Sequence, residues 1–285
     1  MTAHRRPERA PSGGGEAAFA ETGLERIAAA FAGAAGRAAL MPYLMGGFPT
    51  VEASVRIGEA YAEAGADLLE LGVPFSDPLA DGPVIHAAAT RALAAGATVH
   101  HVLEAGARLA QRIPVVLMCY ANPMLARGVE RFAGELAQRG ISGLIVPDLP
   151  LEEAPALLAA CDAAGVALVP LVAPTTPAAR LAAIGARARG FLYTAAVTGT
   201  TGERTQDGDV AAVLARATAS TRVPVALGFG ISTPEQAAAA AAAGADGVIV
   251  GSRLVRAVAE ADAAGADPAA AAGEAVAELA AALAR

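Results

Sequence analysis

The feature that most constrains the fold is a pattern that returns along the chain: a tail of small residues, a glycine, then a short aliphatic run. It appears as AGADLLELG at 64–72, RGISGLIVPD at 139–148, AGVALVPLV at 164–172 and AGADGVIVGS at 243–252. In each, the glycine suits the position just past a helix end, where the backbone turns left-handed and a Cβ is unwelcome. The run that follows lacks polar alternation, as expected of a strand covered on both faces. Extended along the chain, this reading predicts eight strands, at 40–45, 68–72, 115–118, 143–146, 167–171, 191–195, 225–228 and 247–250. Helical periodicity follows each strand, at 51–64, 85–95 with 99–111, 129–139, 152–164, 178–187, 210–218, 234–243 and 253–259. One helix (23–34) precedes the first strand. An Ala-rich helix closes the chain after Asp267-Pro268, with Asp as cap and Pro at the first helical position.

Eight strand–helix units predict an α/β fold of the TIM (β/α)8 barrel type, with an extra N-terminal helix and an Ala-rich C-terminal helix. A doubly wound open sheet is the alternative, but no GxGxxG follows the first strand. Residues 1–22 lack an apolar core and are expected to be a disordered tail rather than a secretory signal. Residues 23–285 are expected to form a single barrel domain. The most apolar stretch holds only seven successive alanines (237–243), so no membrane span is expected.

Composition narrows the chemistry. None of the 285 residues is lysine; all 21 basic residues are arginine. That excludes Schiff-base aldol chemistry, covalent anchoring of pyridoxal phosphate and a P-loop, all of which need a lysine amine. A net charge of −7 argues against a nucleic-acid partner. The two cysteines, Cys119 and Cys161, are far apart and suit a reducing cytosol. Without HExxH or CxxC spacing no metal site is expected. Aromatics are only 4% and Trp is absent, so the core must come mainly from Leu, Val, Ile and the 79 alanines.

In such a barrel, chemistry belongs on the loops that leave the C-terminal ends of the strands. Glu70 interrupts the otherwise apolar LLELG and shares a strand face with Leu68 and Gly72. A carboxyl buried there without a partner is pushed toward neutrality, which suits a general acid or base; the alternative is a Glu paired with Arg or amides. The following connection carries prolines at 74, 78 and 83, so Asp77 and Asp81 are aimed rather than loose, unless they merely cap turns. Gly228-Phe-Gly-Ile-Ser232 and Gly251-Ser252 follow the last two strands, and GTTGERT (199–205) follows the sixth. Three such clusters on successive strands predict a phosphate site of bare amides, with 199–207 also able to serve as a lid. Asp148 is placed for either an orienting role or a loop hydrogen bond. Tyr43, Phe48 and Tyr193 are placed either to line an apolar pocket or to fill the core. His86, His100 and His101 fall on helices as surface or packing residues.

ELGVPFSDPLADGP (70–83), LMCYANP (117–123), VPDLP (146–150), VTGTTGERT (197–205), GFGIS (228–232) and AGADGVIVGS (243–252) together resemble the tryptophan synthase alpha chain family, from about residue 40 to 255. The resemblance implies a cytoplasmic lyase that cleaves indole-3-glycerol phosphate to indole and glyceraldehyde 3-phosphate without metal or organic cofactor. Catalytic roles fall on Glu70 and on Asp81, eleven residues on. Substrate contacts fall on Tyr43, Tyr193, Thr201, Gly202, Gly230, Gly251 and Ser252. The implied partner is a beta chain in an α2β2 heterotetramer; that chain would hold pyridoxal phosphate, which fits the missing lysine here. Where the family often has an acidic residue after the first strand, this chain reads Gly46-Gly47-Phe48-Pro49, and no role is carried over. Glu203 stands where a small residue is common. The rival readings are another phosphate-handling barrel of amino-acid biosynthesis, or a non-catalytic subunit that only activates a partner.

Overall fold

The computed structural model describes residues 21–34, 36–196 and 207–284. Gly65, Gly140, Gly165 and Gly244 all sit at helix ends with φ of +100°, +67°, +70° and +98°. An L-residue there costs about 1–2 kcal/mol, which is why glycine punctuates the chain at these points.

The strands are β1 (Ala39–Met45), β2 (Leu69–Gly72), β3 (Val115–Met118), β4 (Gly143–Ile145), β5 (Ala167–Leu168), β6 (Leu171–Val172), β7 (Leu192–Ala195), β8 (Val225–Gly228) and β9 (Gly247–Val250). All pair in parallel, in the order β5-β4-β3-β2-β1-β9-β8-β7-β6. The two outermost, β5 and β6, are pieces of the single strand expected at 167–171. Pro170 divides them, because it has no N–H with which to continue a ladder. The Val169 N–H still donates to the Leu144 carbonyl (2.9 Å), and the Pro170 carbonyl accepts from the Tyr193 N–H (3.0 Å). The divided strand therefore touches both neighbours, and the sheet closes into the expected (β/α)8 barrel.

Around it lie α1 (Gly23–Gly33), α2 (Val51–Glu63), α3 (Pro83–Ala94), α4 (Val99–Leu109), α5 (Ala121–Leu125), α6 (Val129–Gln138), α7 (Pro155–Ala164), α8 (Ala178–Gly185), α9 (Asp207–Thr218), α10 (Pro234–Ala242), α11 (Ser252–Ala263) and α12 (Pro268–Leu283). The helix expected from 152 begins at Pro155, the position where a missing N–H is harmless. The one-turn α5 escaped the sequence because five residues are too short to show a period. Asp267 caps α12 through the Ala269 N–H at 3.1 Å. Alanine-lined faces let α12 lie close against α2 and α11, burying Ala272, Val276 and Leu279. Among the described residues no helix is long and apolar enough to cross a membrane.

The extra N-terminal helix seals the end of the barrel opposite the loops that carry Glu70 and Asp81. Thr22 caps α1 reciprocally with Glu25; residues 1–20 lie outside the described residues. The Gly23 N–H donates to the Gly165 carbonyl at 2.8 Å. Arg26 reaches the carbonyls of Gly140 (2.6 Å) and Ala110 (2.5 Å), and Ile27 is fully buried below the strands. A Cβ on Gly23 would stand 2.1 Å from the Ser142 carbonyl oxygen. Such a contact with backbone forces the helix away from the barrel. Gly23→Ala is therefore expected to lower stability by about 1–3 kcal/mol, read as a fall in the urea midpoint with an unchanged m-value.

Candidate active site

The C-terminal ends of the strands surround a cavity of about 900 Å³, within the usual range for a small-molecule site. Strand alternation decides what faces it. In β2, Leu69 and Leu71 turn outward, Leu71 lying close to Gly106 of α4, while Glu70 and Gly72 turn inward. Register sets Tyr43 of β1 beside Glu70. Gly72 is needed for that ring: a Cβ there would lie 2.0 Å from the Tyr43 hydroxyl. Gly228 clears Tyr193 in the same way, at 2.5 Å. Tyr43 and Tyr193 line the cavity, so both are pocket residues. Phe48 is instead core, 3% exposed under the Arg91 guanidinium, which stands 4.9 Å from its ring centroid.

Glu70 is 1% exposed, and its Oε2 has no hydrogen-bond partner among the described residues. Burial, and secondarily the charge of Asp81, pushes its carboxyl up to about 8. It is thus an acid at neutral pH. Asp81 lies in the connection between β2 and α3 and also lines the cavity. Burial raises its carboxyl, opposed by a hydrogen bond from Tyr120 and by His86. The Tyr120 hydroxyl donates to Asp81 Oδ1 at 2.9 Å. Asp77, the other aspartate of that connection, accepts among the described residues only from Ser76 and is not part of the cavity lining.

Gly230, Gly251 and Ser252 line the same cavity. Gly251 precedes the twelve-residue α11, where the Leu254 N–H already donates to the Gly251 carbonyl at 2.9 Å, while the N–H groups of Ser252 and Arg253 have no acceptor within the helix and carry the positive end of its dipole. Such a terminus, with Gly230 opposite at φ +95°, is suited to a phosphate. Thr201 and Gly202, together with the expected lid at 199–207 and Glu203, fall on a stretch whose residues 197–206 lie outside the described residues.

Two residues lining or supporting the site were not singled out from sequence. Phe229 packs 5.6 Å from Tyr193 and takes φ +59°, a backbone region strained for phenylalanine, between two glycines. Its only sequence signal is that flanking pair. Tyr120 left its signal in the LMCYANP segment. Asp148 accepts the Ala121 N–H at 2.8 Å, so it holds a loop and does not line the cavity. His86, His100 and His101 are exposed, although His86 acts electrostatically on Asp81. Cys119 and Cys161 are free and buried. No group of three or more His, Cys, Asp or Glu among the described residues could hold a metal ion.

The profile of the tryptophan synthase alpha chain family matches residues 30–284. The alpha chain of Prochlorococcus marinus (strain MIT 9313) is 52% identical over 231 residues, covering 80% of this chain and 84% of the relative. That of Gloeobacter violaceus is 50% identical over 241 residues, covering 83% and 87%. A tryptophan synthase structure from Mycobacterium tuberculosis superposes with a TM-score of 0.83 at 40% identity, covering 90% of this chain and 98% of that one. The alpha subunit from Legionella pneumophila str. Paris gives 0.84 at 34% identity, over 93% and 99%. A carboxylate pair in the mouth of a parallel barrel, glycines on the last strands and a match over most of the length agree: this chain belongs to the tryptophan synthase alpha chain family.

Proposed function

We propose that this chain cleaves indole-3-glycerol phosphate to indole and glyceraldehyde 3-phosphate, the alpha-chain reaction of tryptophan synthesis, with Glu70 and Asp81 as its catalytic residues. The single observation that carries the assignment of roles is the buried, unpartnered Oε2 of Glu70 in the cavity that Asp81 also lines, where burial favours the protonated acid. Without a Schiff base, the electrons of the breaking carbon–carbon bond need a sink, and the indole ring provides it. Glu70 donates its proton to ring carbon 3, making an indolenine-like cation. The resulting carboxylate takes the proton from the hydroxyl on the adjoining carbon. That oxygen becomes the aldehyde, the bond to carbon 3 breaks, and its electron pair restores the aromatic ring. Glu70 ends protonated as it began, so one group serves both transfers. Asp81 accepts the ring N–H and stabilises the positive charge that develops there. Tyr43 and Tyr193 flank the ring. Gly230, Gly251 and Ser252, with Thr201 and Gly202 carried over from the family, hold the phosphate and so fix the scissile bond.

The mechanism requires no cofactor in this chain, which has no lysine to anchor pyridoxal phosphate. That cofactor belongs on a beta-chain partner, in an α2β2 heterotetramer of the cytoplasm, with residues 23–285 acting as one barrel domain. With Asp81 already held by its connection, what a partner has to order is the lid expected from sequence at 199–207. Ordering residues costs roughly 1–2 kcal/mol each in backbone entropy, and substrate and partner together offset it.

Glu70→Gln is expected to fold and lose 10²–10⁴ in kcat, measured by indole release; retention of a tenth of wild-type turnover would remove Glu70 from proton transfer. The wild-type kcat/KM should fall on the alkaline side with an apparent pKa near 8, as Glu70 loses its proton, and that limb should vanish in the Gln variant. The same group links stability to pH. Its folded pKa is raised above the ordinary 4.5, so its contribution is full below pH 4.5 and is lost as pH rises through about 8. Relative to wild type, Glu70→Gln should gain stability between pH 4.5 and pH 9, by at least the ~1.4 kcal/mol that one pKa unit represents; urea unfolding at the two pH values reads it.

Asp81→Asn should leave KM within a few-fold and cut kcat, because the phosphate contacts remain while the charge facing the ring N–H is gone. Steady-state kinetics decide it: collapsed affinity with unchanged turnover would make Asp81 a binding residue. With a beta chain added, indole production should rise ten-fold or more, and a phosphate-bearing substrate analogue should tighten the beta-chain complex, since linkage is reciprocal. Isothermal titrations with and without the analogue test this; equal affinities with no gain in turnover would remove the partner and leave the lyase.

A further inference from the structure

We propose that Tyr120 is a positioning residue for the cleavage reaction: its phenol, fixed by the Ala80 amide and the Phe75 ring, holds one oxygen of Asp81 so that the other faces the substrate. The inference rests on the reading of Asp81 given above and adds the group through which that carboxylate is aimed.

Asp81 lies in the long connection between β2 and α3, and a free aspartate there would turn about both of its side-chain bonds. One side chain from beyond a different strand prevents this. Tyr120 stands two residues past the end of β3, at the cap of α5, 39 residues away in sequence. Its hydroxyl accepts the Ala80 N–H at 3.0 Å and donates to Asp81 Oδ1 at 2.9 Å. With an amide proton already directed at the phenolic oxygen, the phenol's own proton is turned toward the carboxylate, and the two bonds polarise one another. The ring stacks on Phe75, centroids 5.3 Å apart at 27°. The connection is thus held near its start, at Phe75, and at its end, at Ala80 and Asp81, by the same residue. Tyr120 is itself 3% exposed, and its backbone leads into α5, whose first N–H, on Ala121, is held by Asp148 from the end of β4. Asp81 Oδ2 makes no hydrogen bond among the described residues. The outcome is a carboxylate with one oxygen engaged by protein and one offered to the cavity.

The groups that face Asp81 are Glu70 from β2, Tyr43 from β1, His86 from α3 and Tyr120 itself. Burial raises the Asp81 carboxyl, and the Tyr120 bond opposes that rise. Loss of the phenol therefore makes Asp81 harder to ionise as well as looser.

The experiment compares wild type, Tyr120→Phe, Asp81→Asn and the double variant by indole release from indole-3-glycerol phosphate across pH, using the full chain. Tyr120→Phe should lower kcat about ten-fold, the worth of a hydrogen bond to a charged group, with KM within two- to three-fold. The acid limb of its kcat/KM profile should move to higher pH by half a unit or more. In the Asp81→Asn background the same substitution should cost less than two-fold. A Tyr120→Phe enzyme with wild-type kcat and an unmoved acid limb, beside an impaired Asp81→Asn enzyme, overturns the proposal alone. A further ten-fold loss in the double variant also overturns it, since Tyr120 would then act independently of Asp81. An unimpaired Asp81→Asn enzyme overturns the reading of Asp81 and this proposal with it. Should Tyr120→Phe fail to fold, 3,5-difluorotyrosine at 120 keeps the ring and strengthens the donor; the acid limb should then move to lower pH, and an unmoved limb overturns the proposal.

Discussion

Closure of the sheet at Val169 and Pro170 is the constraint on which everything else in the molecule depends. Eight strands give an open ribbon unless the ends are joined, and here the joint is two successive residues of one strand. The Val169 N–H turns toward β4 and the Pro170 carbonyl turns toward β7. Proline at this point sacrifices a donor, so the strand appears as two short pieces, yet the remaining acceptor is the one that meets Tyr193. Tyr193 then faces the cavity from a strand whose position is fixed by that bond. Once the ring is closed, every strand is covered outside by helices and inside by its neighbours' side chains, and only its C-terminal end is free to carry polar chemistry.

The barrel makes one deliberate exception to its apolar interior. A carboxyl with an unsatisfied oxygen costs stability wherever it is buried, and Glu70 lies one residue from Leu69 and Leu71, both fully buried. The burden is reduced by leaving the acid protonated rather than by pairing it with an arginine. Asp81, half in solvent and hydrogen-bonded, follows the opposite course and keeps a partner. Two carboxyl groups eleven residues apart in sequence are thus accommodated differently, one buried without a partner for its Oε2 and one held by the Tyr120 hydroxyl. In the proposed reaction that difference separates the proton donor from the charge stabiliser.

The recurring glycines made the barrel legible in the sequence, because a positive φ at a helix end is a local requirement that one residue meets. Glu70 was legible for a similar reason: charge inside LLELG contradicts its surroundings. Gly230, Gly251 and Ser252 could be read from their position after the last strands. Residues whose role depends on a partner distant along the chain were not legible. Tyr120 acts on Asp81 from the cap of α5, and for Asp148 the loop hydrogen bond was one of two expectations, with its partner Ala121, 27 residues before it, left unnamed. Phe48 and Tyr43 looked alike in sequence, since which aromatic enters the cavity and which goes under Arg91 is decided by strand register. The break at Pro170 could have been foreseen from the missing donor alone, but its place in closing the ring could not.

The close fit of Tyr43 over Gly72, and of Tyr193 over Gly228, carries an evolutionary consequence. The hydroxyl-bearing rings occupy the space that a methyl group would take, so neither glycine can enlarge alone without displacing its tyrosine. A larger residue at 72 is admissible only alongside a smaller one at 43, and likewise for 228 with 193. Change at the wall of this pocket is therefore ordered: the tyrosine must shrink before, or together with, any enlargement of its glycine.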